Sequence, residues 1–320
     1  MTKKFRIKDL GKLLKSAGRG FIDHNVVKLS ASLAFYTIFS MGPLLLIIIA
    51  ICSFFYGRAA VEGKIYYQLQ GFLGHDTALS LQQIIKNAAI GGKTKFATII
   101  GGAALLIGAT SIFAEIQDSI NTIWELKVKP NKGWLTMIIN RLLSFSIIIS
   151  LGFLLLVSLS ITALIEGFSD HLKAIYPQVA VIIFYAVNVL VTFLITAFIF
   201  AIIFKVLPDA KIKWKDVSVG AIVTTFLFML GKFGISFYIS KSNVGTTYGT
   251  TGSLVVLLLW VYYSSFILYF GAEFTKSFAL IFGSKIYPSE YAVSTRHVEM
   301  EMDNSTSLNE KEEIANKQSP

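Results

Sequence analysis

Between Lys28 and Arg58 the chain runs through 29 consecutive residues without a charge. Five comparable apolar windows follow, between Lys95 and Glu115, Arg141 and Glu166, Lys173 and Lys205, Asp216 and Lys241, and Lys241 and Glu273. Only the window opening at Asp216 is interrupted by a charge, Lys232. A helix rises about 1.5 Å per residue, so roughly 20 apolar residues cross the hydrocarbon core of a bilayer. The pattern predicts an all-α polytopic membrane protein with six transmembrane helices, at about 29–57, 96–116, 142–165, 179–204, 217–239 and 253–282. Charged residues make up only 15% of the chain, against about 25% in a soluble domain. The bilayer organises this chain.

The first window exceeds the roughly 7–15 apolar residues of a signal peptide. Its end, Cys52-Ser53-Phe54-Phe55-Tyr56, lacks a small-residue cleavage site, so it is expected to be retained. Cys52 is the only cysteine, which excludes an intrachain disulfide and a multi-thiolate metal site.

Basic residues set the expected orientation. With both termini in the cytoplasm, 21 Lys and Arg lie on the inner side and seven on the outer side. The +10 formal charge therefore needs no nucleic-acid partner. The expected partners are membrane lipids with anionic headgroups at the inner leaflet, where each basic residue contributes about 1 kcal/mol. Residues 1–28 read as a basic cytoplasmic segment. In it Leu10, Leu13, Leu14, Ala17 and Phe21 recur at helical spacing, as in a helix lying on the inner leaflet. Residues 29–283 form the six-span membrane domain. Residues 284–320, rich in Glu, Ser, Asn and Lys, are expected to be a disordered cytoplasmic tail.

A short helical outer segment is expected between the first two spans. Ile65, Tyr66, Leu69 and Phe72, then Leu79, Leu81, Ile84 and Ile85, read as two amphipathic helices broken near Gly74-His75-Asp76. It is read as a cap on the outer ends of the spans.

Several enzyme signatures fail on inspection. Gly91-Gly92-Lys93-Thr94 ends like a phosphate-binding loop, but Asn87 stands where the first glycine is required. Gly245-Thr246-Thr247-Tyr248-Gly249 lacks the residue order of a potassium filter. His24, His75, His171 and His297 show no metal-ligand spacing. No nucleophile elbow or zinc-protease helix motif is present. The residues point to no enzyme, no metal and no cofactor.

Polar residues at depth are the remaining candidates. Pro43 interrupts the first span and Asn188 lies at similar depth in the fourth, with Thr224, Thr225 and Lys232 in the fifth. Transporters use broken helices and midplane polar groups to form substrate sites. Ser, Thr and Asn also hold helices together, for roughly 0.6 kcal/mol each. Pro43, Asn188, Thr224, Thr225 and Lys232 are thus a candidate substrate path, or packing contacts. Glu115, Asp118, Arg141, Glu273 and Lys276 fall near one inner boundary by helix rise. They are either interfacial anchors or an inner polar cluster acting as a gate. Ala97/Gly101 and Ala104/Gly108 mark a close helix contact.

Ala34-Phe35-Tyr36-Thr37 leads to Pro43-Leu44-Leu45-Leu46 in the first span, and Ile120-Asn121-Thr122-Ile123-Trp124 follows the second. Leu207-Pro208-Asp209, Trp214, Val219-Gly220-Ala221 and Gly231-Lys232 occupy the fourth-to-fifth-span region. The last span carries Tyr248 to Ser253, Leu259-Trp260-Val261-Tyr262 and Gly271-Ala272-Glu273-Phe274. Over about residues 20–280, this combination resembles the YihY/virulence factor BrkB family of bacterial inner-membrane proteins. The resemblance implies six spans and location in the bacterial cytoplasmic membrane. It brings no catalytic residues, and no metal cluster here supports that family's early ribonuclease label. The expectation is a transporter or lipid-handling permease without its own ATP site. The alternative is a structural or regulatory envelope protein.

Overall fold

The computed structural model describes residues 9–56, 95–129, 177–241, 252–283, 286–289 and 292–295, with scattered positions between 62 and 83. Six long helices lie among these residues: α1 (Leu10–Asp23), α2 (Val26–Tyr56), α3 (Lys95–Ile123), α4 (Pro177–Val206), α5 (Trp214–Lys241) and α6 (Gly252–Ile281). Among the described residues, four helices contain stretches long and apolar enough to cross a membrane: Val26–Ile49, Ala186–Val206, Trp214–Ile235 and Leu254–Ile281. The second expected span falls within α3. The third, at 142–165, lies outside the described residues.

Many large apolar side chains on these helices point outward. On α4, Val187, Leu190, Leu194 and Phe198 are exposed, and on α5 so are Ile222, Phe226, Leu230, Phe233 and Phe237. Steps of three and four residues put each set on one helical face. Water would penalise such stripes at about 25 cal/mol per Å²; lipid does not. This is a multi-pass membrane protein.

The helices pack around α6, which contacts α1, α2, α3 and α5, while α4 packs on α5 and α3 on α2. Glycines set the α5–α6 contact. Thr224 Oγ1 donates to its own helix at Gly220 O (2.7 Å) and lies against Gly271 of α6. Thr275 Oγ1 donates to Gly271 O (2.7 Å) and lies against Gly220 of α5. Each threonine thus fills the space left by a glycine on the other helix, as small residues permit in membrane bundles. On the opposite flank, Pro43 of α2 faces Gly108 of α3, where an added Cβ would meet proline Cγ at 3.0 Å.

The bundle end that carries α1 is well packed among the described residues. Phe204, Ile120, Ile123, Val217 and Tyr269 are fully buried there in one core. The α1–α2 link is a two-residue turn. His24 N–H donates to Gly20 O (2.9 Å), and Asn25 adopts φ 51°, a left-handed conformation that asparagine tolerates. Pro208 follows α4 and cannot continue it.

Four short strands bind the loops at this end: β1 (Leu126–Val128), β2 (Ala210–Lys211), β3 (Tyr287–Pro288) and β4 (Ala292–Ser294). The antiparallel pairs are β1 with β4 and β2 with β3. Residues 287–288 and 292–294 therefore depart from the disorder expected from residue 284 onward. The loops after α3 and α4 offer them backbone partners, including Glu125 O for Thr295 N–H (2.8 Å) and Asp209 O for Ser289 N–H (3.0 Å). Composition alone cannot register such pairing.

The segment between the first two spans is helical at 65–67 and 78–83. Ile65, Ala78 and Leu81 are buried. Leu81 shares an apolar cluster with Ala34, Leu257 and Val261. The segment therefore packs on α2 and α6 at Leu81.

Candidate functional site

At the α1 end, α1 and α6 border an open cavity of about 450 Å³. It is lined by Lys12, Lys15, Arg19, Asp23 and His24 of α1 and its turn, by Glu273, Lys276 and Leu280 of α6, and by Glu125. Helical spacing explains the lining. Lys12, Lys15 and Arg19 stand at i, i+3 and i+7, on one face of α1. Leu13 and Ala17 occupy another face and are fully buried against Phe274, Phe278 and Phe282. Phe21 continues that contact, its ring 4.5 Å from Phe266 between centroids. Ser277 Oγ donates to Ser16 Oγ at the edge (3.1 Å).

The cavity floor is a chain of charges. His24 Nδ1 and Glu273 Oε1 are 2.5 Å apart. His24 Nε2 lies 3.7 Å from Glu125 Oε1, and Lys276 Nζ donates to that same oxygen at 2.7 Å. Lys276 also donates to Ile123 O (2.8 Å), capping the C-terminus of α3, where a cation is favoured by the helix dipole. Glu273 is 1% exposed, and an ionised carboxylate at such burial needs a partner. Gly20 makes room for it, since a Cβ there would overlap the carboxylate.

The partners move the ordinary titration of these groups. The hydrogen bond His24 makes to Glu273 raises its pKa, helped by the charges of Glu273 and Glu125 and opposed by burial and Lys276. Burial pushes Glu125 up, but the hydrogen bond and charge of Lys276, with His24, hold it below the usual range. His24 is thereby biased toward its cationic form and Glu125 toward its anionic form.

A second polar layer adjoins the first. Asp209 accepts from Asn121 Nδ2 (2.7 Å) and Gln117 Nε2 (3.1 Å), and its own N–H donates to Asn121 Oδ1 (2.9 Å). Burial raises the Asp209 pKa, while the bonds from Asn121 and Gln117 oppose the shift. Trp124 Nε1 donates to Ala272 O at 3.1 Å, beside Glu273. The Ile120–Trp124, Leu207–Asp209, Val219–Ala221 and Gly271–Phe274 segments, distant in sequence, thus meet at one end of the bundle.

Residues 17–285 match the model of a family described as Virulence factor BrkB. The chain belongs to this family. Its relatives include a UPF0761 membrane protein of Ralstonia nicotianae, 25% identical over 88% of this chain and 62% of the relative. One from Alteromonas mediterranea is 26% identical over 82% of this chain and 86% of its own length. One from Vibrio vulnificus is 26% identical over 80% of this chain and 79% of its length. The matched region spans about six-tenths of the Ralstonia relative. No solved structure matches the chain.

In this BrkB-family chain the expected inner cluster divides. Glu273 and Lys276 share the cavity, while Glu115 and Asp118 are not among its lining residues. Arg141 lies outside the described residues. The structure adds His24 and Glu125, which apolar-window reading passes over because both sit in turns. The midplane residues also divide. Thr224 and Thr225 are fully buried, their hydroxyls bonded to Gly220 O and Ala221 O of their own helix. Pro43 is half-buried against α3, Asn188 is exposed on α4 and Lys232 is half-buried on α5. Among the described residues, no group of three His, Cys, Asp or Glu side chains is arranged to hold a metal ion.

Proposed function

We propose that this chain is an amphiphile- or lipid-handling permease of the bacterial cytoplasmic membrane, working without its own ATP site and without a catalytic step. Basic asymmetry supports a cytoplasmic placement of both termini, and hence of the α1 end. One observation carries the reading: a cavity of about 450 Å³ between the amphipathic α1 and the membrane helix α6. Its lining joins cations to Leu280, whose side chain is exposed. An amphiphile needs both surfaces at one place.

The test is reconstitution of the purified full chain into vesicles, with lipid scrambling and solute flux measured in parallel. Scrambling above protein-free vesicles is the expected result; neither activity would sink the reading. The same preparation is expected to leave RNA intact, and cleavage that follows the protein through purification would refute the absence of a catalytic step.

A structural or regulatory envelope role is the second reading. The reciprocal seating of Thr224 on Gly271 and Thr275 on Gly220 favours it, since these buried polar groups serve helix packing. Vesicles inert in both assays would leave this role.

A further inference from the structure

We infer that the cavity between α1 and α6 binds the phosphate-bearing headgroup of an anionic lipid, with Lys12, Lys15 and Arg19 as its ligands. The inference deepens the permease reading and rests on it for the placement of α1 at the inner leaflet.

Charge distribution within the cavity comes first. Its floor is internally paired, His24 with Glu273 and Lys276 with Glu125. The remaining charged lining consists of Lys12, Lys15 and Arg19, with Asp23 as the one carboxylate left. Three cations against one anion make the rim attractive to a ligand carrying one or two negative charges. All three cations lie on one exposed face of α1, and the guanidinium of Arg19 presents the fork geometry that suits phosphate oxygens. A volume of about 450 Å³ falls within the range of roughly 300–1,000 Å³ typical of small-molecule sites.

The surroundings select a lipid over a free phosphate. Leu280 lines the cavity and is 59% exposed, and Ile281 beside it is exposed as well. On α1, Ile22 is exposed and borders the cationic face, three residues after Arg19 and seven after Lys15. A headgroup seated among the cations would leave its acyl chains against this apolar flank. A soluble phosphate ester makes no use of it.

The test measures binding of dihexanoyl phosphatidylglycerol to the purified full chain in neutral detergent. Dihexanoyl phosphatidylcholine, glycerol 3-phosphate and inorganic phosphate are the comparison ligands. The Lys12→Ala/Lys15→Ala/Arg19→Ala variant is expected to bind phosphatidylglycerol at least tenfold more weakly. Lys213→Ala/Lys215→Ala, which removes two exposed lysines outside the cavity, is expected to bind like the parent. Circular dichroism and gel filtration establish that both variants are folded, and Arg19→Lys supplies a milder change if the triple variant is not. Unchanged binding by the folded triple variant, or equal loss in the control, would overturn the site. Binding of glycerol 3-phosphate or inorganic phosphate as tight as that of the lipid would overturn the lipid assignment. Binding that depends on the three cations without any scrambling would retain the site and sink the permease reading. Scrambling without such binding would do the reverse.

Discussion

His24 Nδ1 and Glu273 Oε1 stand 2.5 Å apart although 249 residues separate them in the chain. The contact ties the turn after α1 to the last membrane helix, and Gly20 leaves the space it requires. Facing His24 are Glu273 and Lys276 of α6 and Glu125 of the turn after α3, with Arg19 and Asp23 on α1 lining the same cavity.

This pair makes stability depend on pH. The folded-state pKa of His24 is raised above its ordinary 6.5. Its contribution is therefore fully present below about 6.5 and is lost as pH rises through the raised value. A hydrogen bond to a charged group contributes about 1.5–3 kcal/mol. Thermal unfolding in detergent from pH 6 to 9 should show the parent losing stability with rising pH and His24→Gln responding far less. Parallel curves would refute the assignment.

The α5–α6 contact depends on two glycines. An added Cβ at Gly220 would fall 2.8 Å from Thr275 Cβ, and one at Gly271 would fall 2.9 Å from Thr224 Cβ. Rotating a hydroxyl cannot relieve either overlap. Gly220→Ala and Gly271→Ala should each cost about 1–3 kcal/mol through overpacking. Gly234→Ala on α5, which meets nothing within 4 Å, should be tolerated. Equal thermal stability of all three variants would remove the interlock.

Asn121 satisfies both the side chain and the backbone N–H of Asp209. Asn121→Ala leaves a buried donor without this partner, a loss of about 1–3 kcal/mol. Asp209 should then rely on Gln117 alone among these two amides. A double-mutant cycle of Asn121→Ala with Gln117→Ala checks this: the two losses should be non-additive, and simple additivity would refute a shared network.

Topology offers a further check. Reporter fusions at Val244 and Pro130 should read outside and inside respectively. On a Cys52→Ala background, Arg19→Cys should react with a membrane-impermeant thiol reagent from the cytoplasmic side only. Thr225→Cys should stay inert, because Thr225 is fully buried. Labelling of Arg19→Cys from outside would invert the orientation.

Solvent class was legible in the residues because the free energy of placing an unpaired charge in hydrocarbon is large and local. Uncharged runs such as 29–57 announce themselves without any knowledge of neighbours. Helical spacing likewise exposed the sidedness of α1, since i, i+3, i+4 and i+7 share a face in any helix. Glu273 and Lys276 were recognisable as boundary charges by counting helix rise from the start of their span.

The partners of those charges were not legible. His24 and Glu125 lie in turns, where no periodicity marks them, and their meeting with Glu273 and Lys276 depends on how α1 and α3 dock on α6. The strands at 287–288 and 292–294 escaped for the same reason, as their hydrogen-bond partners sit in loops far away in sequence. That Thr224 lies against Gly271 of the last helix was likewise beyond sequence reading. The sequence by itself determined what the chain dissolves in and which faces of its helices are apolar, because both follow from each residue and its near neighbours. Only the tertiary structure decided which polar groups pair, since that is a property of surfaces that approach one another across hundreds of residues.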